Sequence, residues 1–177
     1  MEKKEKSLIE QKLEEKKKIK KTNIVLIVIG VLIILVDQIV KIFISSVGNI
    51  TVIPGVLELS VTQNMTAAYG VGSNSTVMYV ITNLIVLGII FKFLTTQNEF
   101  VDIKMRVFLS FILAGGISNV IDRLLHGYVI EWIKISKLPV FNIADIFVVI
   151  GWVAIAAIFA GFTVKELRKR RENWKHI

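Results

Sequence analysis

The sequence predicts an all-α membrane protein with four transmembrane helices and a small extracytoplasmic β platform. Three observations predict it. Hydrophobic residues make up 54% of the 177-residue chain, although Lys and Arg number 22. The apolar residues gather into four blocks (23–47, 76–94, 107–125 and 141–162), each near the ~20 residues needed to cross a bilayer. Lys and Arg cluster beside alternate ends of those blocks, the pattern that sets membrane orientation.

Residues 1–21 carry nine lysines against five glutamates. Their helical spacing reads either as a helix lying along the headgroups or as a solvated tail. Residues 24–36 of the first block do not read as a cleavable signal peptide, because a long extension precedes them and no small-residue cleavage site follows. The 48–75 connection has no Lys or Arg, so it is assigned to the outside. After a Pro54-Gly55 turn, Leu57, Leu59 and Val61 alternate with Glu58, Ser60 and Thr62, which predicts a strand whose apolar face rests on the membrane. The second block ends in a connection holding Lys92, Lys104 and Arg106, assigned to the cytoplasm. The third block runs outward again. The 126–140 segment, too short for a domain, is expected to be a compact turn. The fourth block returns the chain to a tail with six Lys/Arg against two glutamates over 165–177.

The chain therefore divides into a basic cytoplasmic extension (1–22), a four-helix membrane domain (23–164) and a basic cytoplasmic tail (165–177). The net charge of +8 reads as topology and contact with anionic membrane lipids rather than as a nucleic-acid surface. There is no cysteine, which removes disulfides and thiolate chemistry, and His126 and His176 are too far apart to suggest a metal site. Nothing implies an oligomer.

Polar groups inside the blocks are expensive and so are suspected of function: a charge near the bilayer centre costs roughly 2.5–3.5 kcal/mol on insertion scales. Asp37 and Lys41 stand i, i+4 apart and are able to neutralise each other. Asn119, Asp122 and Arg123 share one face of the third helix. Asn142 precedes Asp145 by one turn, and Glu131 and Asn64 lie in the outer connections. The predicted topology brings all of these to the outer leaflet. Two carboxyl groups held close share a proton, one acting as base and the other as acid on a water between them. Chemistry alone leaves aspartyl-type proteolysis and proton or ion transport both open.

Five motifs carry a resemblance to the lipoprotein signal peptidases, the bacterial type II signal peptidases. In chain order they are DQIVK (37–41), QNMTAAYG (63–70), GGISNVIDRL (115–124), GYVIEWI (127–133) and PVFNIADI (139–146). The resemblance spans residues 24–162. It implies a cofactor-free endopeptidase of the bacterial cell membrane that removes signal peptides from prolipoproteins, cutting just before the diacylglyceryl-modified cysteine. It also implies Glu131 and Asp145 as the catalytic pair and Asn119, Asp122, Arg123 and Asn142 as residues shaping and charge-balancing the site, Asp122 against Arg123. Asp37, Lys41 and Asn64 would support it, and the 50–70 segment would cradle the lipidated substrate. Glu131 stands where the family has Asp, Thr66 where it has Gly, and Tyr69 and Ser118 where it has Phe and Gly. The longer Glu131 side chain leaves two alternatives open: a catalytically weakened relative that binds lipidated signal peptides, and Asp122 with Asp145 as the pair.

Overall fold

The computed structural model describes residues 2–65, 76–95 and 101–174. The part of the QNMTAAYG motif from Thr66 onward, and His176, lie outside the described residues. Four helices carry the chain: α1 (Glu2–Val47), α2 (Thr76–Thr95), α3 (Ile103–His126) and α4 (Ile143–Trp174). Each contains a stretch long and apolar enough to span a membrane, namely Lys16–Val47, Val77–Thr95, Ile103–His126 and Ile143–Asn173. Three strands, β1 (Ile50–Ile53), β2 (Leu57–Asn64) and β3 (Val129–Ile135), form an antiparallel sheet in that order. The alternating pattern after Pro54-Gly55 is thus a strand, paired with β1 across the turn.

Two expectations change. The 126–140 connection is not a bare turn, because β3 completes the sheet. Its ValIleGluTrpIleLysIle run is β-branched and short, and β2 supplies the ladder that an isolated strand lacks. The amino-terminal extension is not a separate helix: α1 is continuous from Glu2 to Val47. With no Gly or Pro before Gly30 and with Lys and Glu at i, i+4, nothing in the sequence interrupts it.

Helix α3 packs against the other three helices. Asp102 caps its start, accepting from the Met105 N–H at 2.8 Å, and Gly127 ends it in a left-handed conformation with φ 84°. Gly115 lies so close to the Ala144 carbonyl of α4 that a Cβ there would collide, so the absence of a side chain there lets α3 and α4 approach closely. Large apolar side chains such as Ile27, Ile39, Ile85 and Val153 face outward, as lipid-facing surfaces require.

Candidate active site

Polar residues of α1, α3 and the start of α4 converge with those of β2 and β3, in two groups. The first is closed. Lys41 Nζ lies 2.7 Å from Asp37 Oδ2 and 2.7 Å from Asp122 Oδ2, and all three side chains are buried. The i, i+4 spacing on α1 aligns the first pair, and the packing of α3 on α1 delivers the second. Asp37 also accepts from the Ser118 hydroxyl at 2.7 Å and from the Ala144 N–H at 3.0 Å, satisfying a free donor in the first turn of α4. Asp122 accepts from Gln38 Nε2 at 2.8 Å and from the Ile130 N–H at 3.0 Å, fastening the start of β3 to α3. The cation that balances Asp122 is therefore Lys41, not Arg123 as its neighbour in sequence suggested. Adjacent positions on a helix point some 100° apart, so Asp122 faces α1 while Arg123 does not.

The second group is half-open and is built on Asp145 and Glu131, both partly exposed. Asn142 and Asp145 cap α4 reciprocally. Asn142 Oδ1 accepts from the Asp145 N–H at 2.8 Å, and Asp145 Oδ2 accepts from the Asn142 N–H at 3.0 Å. The Asn-x-x-Asp spacing thus has a structural role as well as a chemical one. Asn119 Nδ2 donates to the other Asp145 oxygen at 2.7 Å. Asn119 Oδ1 accepts from Lys41 at 3.3 Å and from Asn142 Nδ2 at 3.0 Å, so one amide joins the two groups. Asn142, fully buried, also donates to the Ile130 carbonyl at 3.1 Å, holding β3 beside α4.

Glu131 reaches the group from β3. The register pairs Thr62 with Glu131 and Asn64 with Val129, which makes Asn64 the diagonal neighbour of Glu131 on one sheet face. Asn64 Nδ2 donates to Glu131 Oε1 at 2.6 Å. Burial raises the Glu131 carboxyl above the ordinary glutamate value; the Asn64 hydrogen bond opposes this, and the nearby Asp145 charge adds to it. Arg123 lies within electrostatic reach of Asp145, Asp122 and Glu131 and makes no ion pair with any of them among the described residues. Its guanidinium sits 5.8 Å from the Tyr79 ring centroid, and Nη1 donates to the Asn119 carbonyl at 3.5 Å. Among the described residues, no three His, Cys, Asp or Glu side chains cluster as metal ligands do.

All nine residues singled out in the sequence therefore lie in or beside these two groups. Gln38 and Ser118 were not singled out. The signal for Gln38 was its amide inside an apolar block, beside Asp37, and Ser118 entered only as a residue standing where the family has Gly. The arrangement offers two accessible carboxyl groups from different elements, while the remaining carboxylates are committed to Lys41.

Comparison with known proteins follows the same span. Residues 29–160 match the family described as signal peptidase (SPase) II. A lipoprotein signal peptidase of Clostridium novyi (strain NT) is 32% identical over 144 residues, covering 76% of this chain and 94% of that protein. One from Staphylococcus aureus (strain JH9) is 32% identical over 138 residues, covering 73% and 83%. Among solved structures, a bacterial membrane enzyme determined by the in meso method at 2.3 Å superposes with a TM-score of 0.70 at 30% identity, covering 78% of this chain and 89% of that one. A second, at 1.9 Å, gives a TM-score of 0.69 at 29% identity, covering 76% and 92%.

Proposed function

The chain belongs to the signal peptidase II family, and on that premise we propose that it cleaves prolipoproteins just before the diacylglyceryl-modified cysteine, using Glu131 and Asp145 as an aspartyl-type pair. As a member of that family it is an aspartic-type peptidase and a multi-pass membrane protein. The observation that carries the proposal is the division of the carboxylates. Asp37 and Asp122 are buried against Lys41, whereas Glu131 and Asp145 are partly exposed and, among the described residues, held by side-chain amides and one backbone N–H.

In this mechanism one carboxyl of the pair holds the shared proton, the role given to Glu131, and polarises the scissile carbonyl by donating to its oxygen. Asp145 takes a proton from a water lying between the two groups, and the water oxygen bonds to the carbonyl carbon. The resulting diol collapses as its C–N bond breaks; Asp145 returns its proton to the leaving amine, and Glu131 recovers its own from the diol. Arg123, free of a carboxylate partner among the described residues, offsets the charge that the pair carries. Positive-inside topology supports an orientation with both termini cytoplasmic, which would set the site toward the outer leaflet. Membrane lipids surround the protein, and no cofactor takes part.

One specific observation favours a second reading: a Glu at position 131, one methylene longer than Asp, suits a relative that binds lipidated signal peptides without cutting them. A displacement of about 1 Å in a reacting group costs on the order of 100-fold in rate. The test incubates purified protein with a diacylglyceryl-modified prolipoprotein and follows the freed signal peptide. Asp145→Asn and Glu131→Gln are each expected to slow release by about 100- to 10,000-fold, and Glu131→Asp to retain it. Binding without cleavage, with cleavage restored by Glu131→Asp, selects the second reading. Parental rates in Glu131→Gln remove Glu131 from the pair.

A further inference from the structure

A groove of about 210 Å³ runs between α1, α2 and α3 toward the end of the bundle that carries both termini, away from the carboxylates. We propose that it seats one acyl chain of an anionic phospholipid with a hydroxylated headgroup. Its length supports an acyl chain. On α1 it follows Asn23, Ile27, Gly30 and Ile34, a single helical face, and from 23 to 34 the helix rises about 16 Å. One leaflet of a bilayer core is about 15 Å thick. The groove is too small for a helix, whose diameter with side chains is about 10 Å. It is walled by apolar side chains such as Leu113 and Ile117 of α3 and opens past the exposed Ile27.

The headgroup is argued from the polar end. Asn23 donates to the Leu94 carbonyl, the last turn of α2, at 3.5 Å. Its Oδ1 is buried and has no hydrogen-bond partner among the described residues. An unpaired buried acceptor is unfavourable, and Asn23 lines the groove, so a turn of its side chain presents that oxygen to a donor on an occupant. Lys20 and Lys21, just before Asn23, and Lys92 on α2 flank the same end, all exposed and outside any ion pair among the described residues. Three cations call for a phosphate, and the orphaned acceptor calls for a hydroxyl. A phosphatidylglycerol-like lipid supplies both.

The test reconstitutes the full-length protein in nanodiscs of phosphatidylglycerol or phosphatidylcholine and counts retained lipid by native mass spectrometry. One phosphatidylglycerol is expected to be retained on the order of 100-fold better than phosphatidylcholine, as three lysines at about fivefold each would provide. Asn23→Leu is expected to lower that retention about fivefold, and Gly30→Leu, which fills the groove, to abolish it. If Gly30→Leu fails to fold, Ile27→Trp fills the groove from its open side. Equal retention of the two lipids, or retention unchanged by Gly30→Leu or Ile27→Trp in folded protein, overturns the proposal. So does a higher KM for prolipoprotein in these variants with lipid retention unchanged, which would assign the groove to substrate. Retention is scored without any cleavage, so its failure is distinct from failure of the peptidase reading.

Discussion

Asp37, Lys41 and Asp122 form a closed ionic cluster, while Glu131 and Asp145 stand a few side chains away as a half-open pair. The two groups are built from the same residue types and differ in what their oxygens already hold. In the cluster each carboxylate has a 2.7 Å ion pair with Lys41 and further hydrogen bonds, and no surface is exposed. In the pair the partners are the amides of Asn64 and Asn119 and one backbone N–H, and both carboxyl groups are reachable. A fully partnered carboxylate has little to offer a substrate, whereas one oriented by neutral amides keeps its proton exchange. Among the described residues, Asn119 is the single side chain that hydrogen-bonds to both sides, through Lys41 and Asp145.

Removing the cation of the closed cluster separates the groups most forcefully. Lys41→Met leaves Asp37 and Asp122 buried without a counter-charge, and breaking such a buried pair costs about 3–5 kcal/mol. Thermal unfolding in detergent is expected to fall steeply, and activity to disappear with the fold rather than before it. Full activity at the parental melting temperature would show that the cluster is not what holds α1, α3 and α4 together. Cutting the bridge is the sharper and milder test. Asn119→Ala removes the donor that orients Asp145 and is expected to slow cleavage by about 10- to 100-fold. The melting temperature should move far less than in Lys41→Met, and a loss of stability equal to that of Lys41→Met would merge the two groups into one structural unit.

The smallest effect is in pH. Glu131 has its folded-state carboxyl raised, first by burial, so the folded protein favours its protonated form. The sign follows from linkage: this preference stabilises fully below the ordinary glutamate value and is lost as pH rises through the raised one. Glu131→Gln, neutral throughout, should therefore gain stability relative to the parent as pH rises over that window. Melting curves across mildly acidic pH check it, and a difference that does not change with pH would contradict a protonated Glu131.

What the sequence by itself determined is whatever is written locally along the chain. Four apolar blocks long enough to span, the alternation of β2, and the basic flanks all follow from hydrophobicity and periodicity, which need no distant partner. Motif order carried all nine candidate residues into one region. The tertiary structure alone decided who pairs with whom. Asp122 is adjacent to Arg123 in sequence, yet its cation comes from residue 41, because helix packing selects a face and not a neighbour. β3 gained its identity from β2, since a strand's hydrogen bonds belong to its partner. Gln38 and Ser118 became part of the cluster only once α1 and α3 were in contact. The commitment of Asp37 and Asp122 rests on contacts across 80 and more residues, and no short window of sequence contains both halves of such a contact.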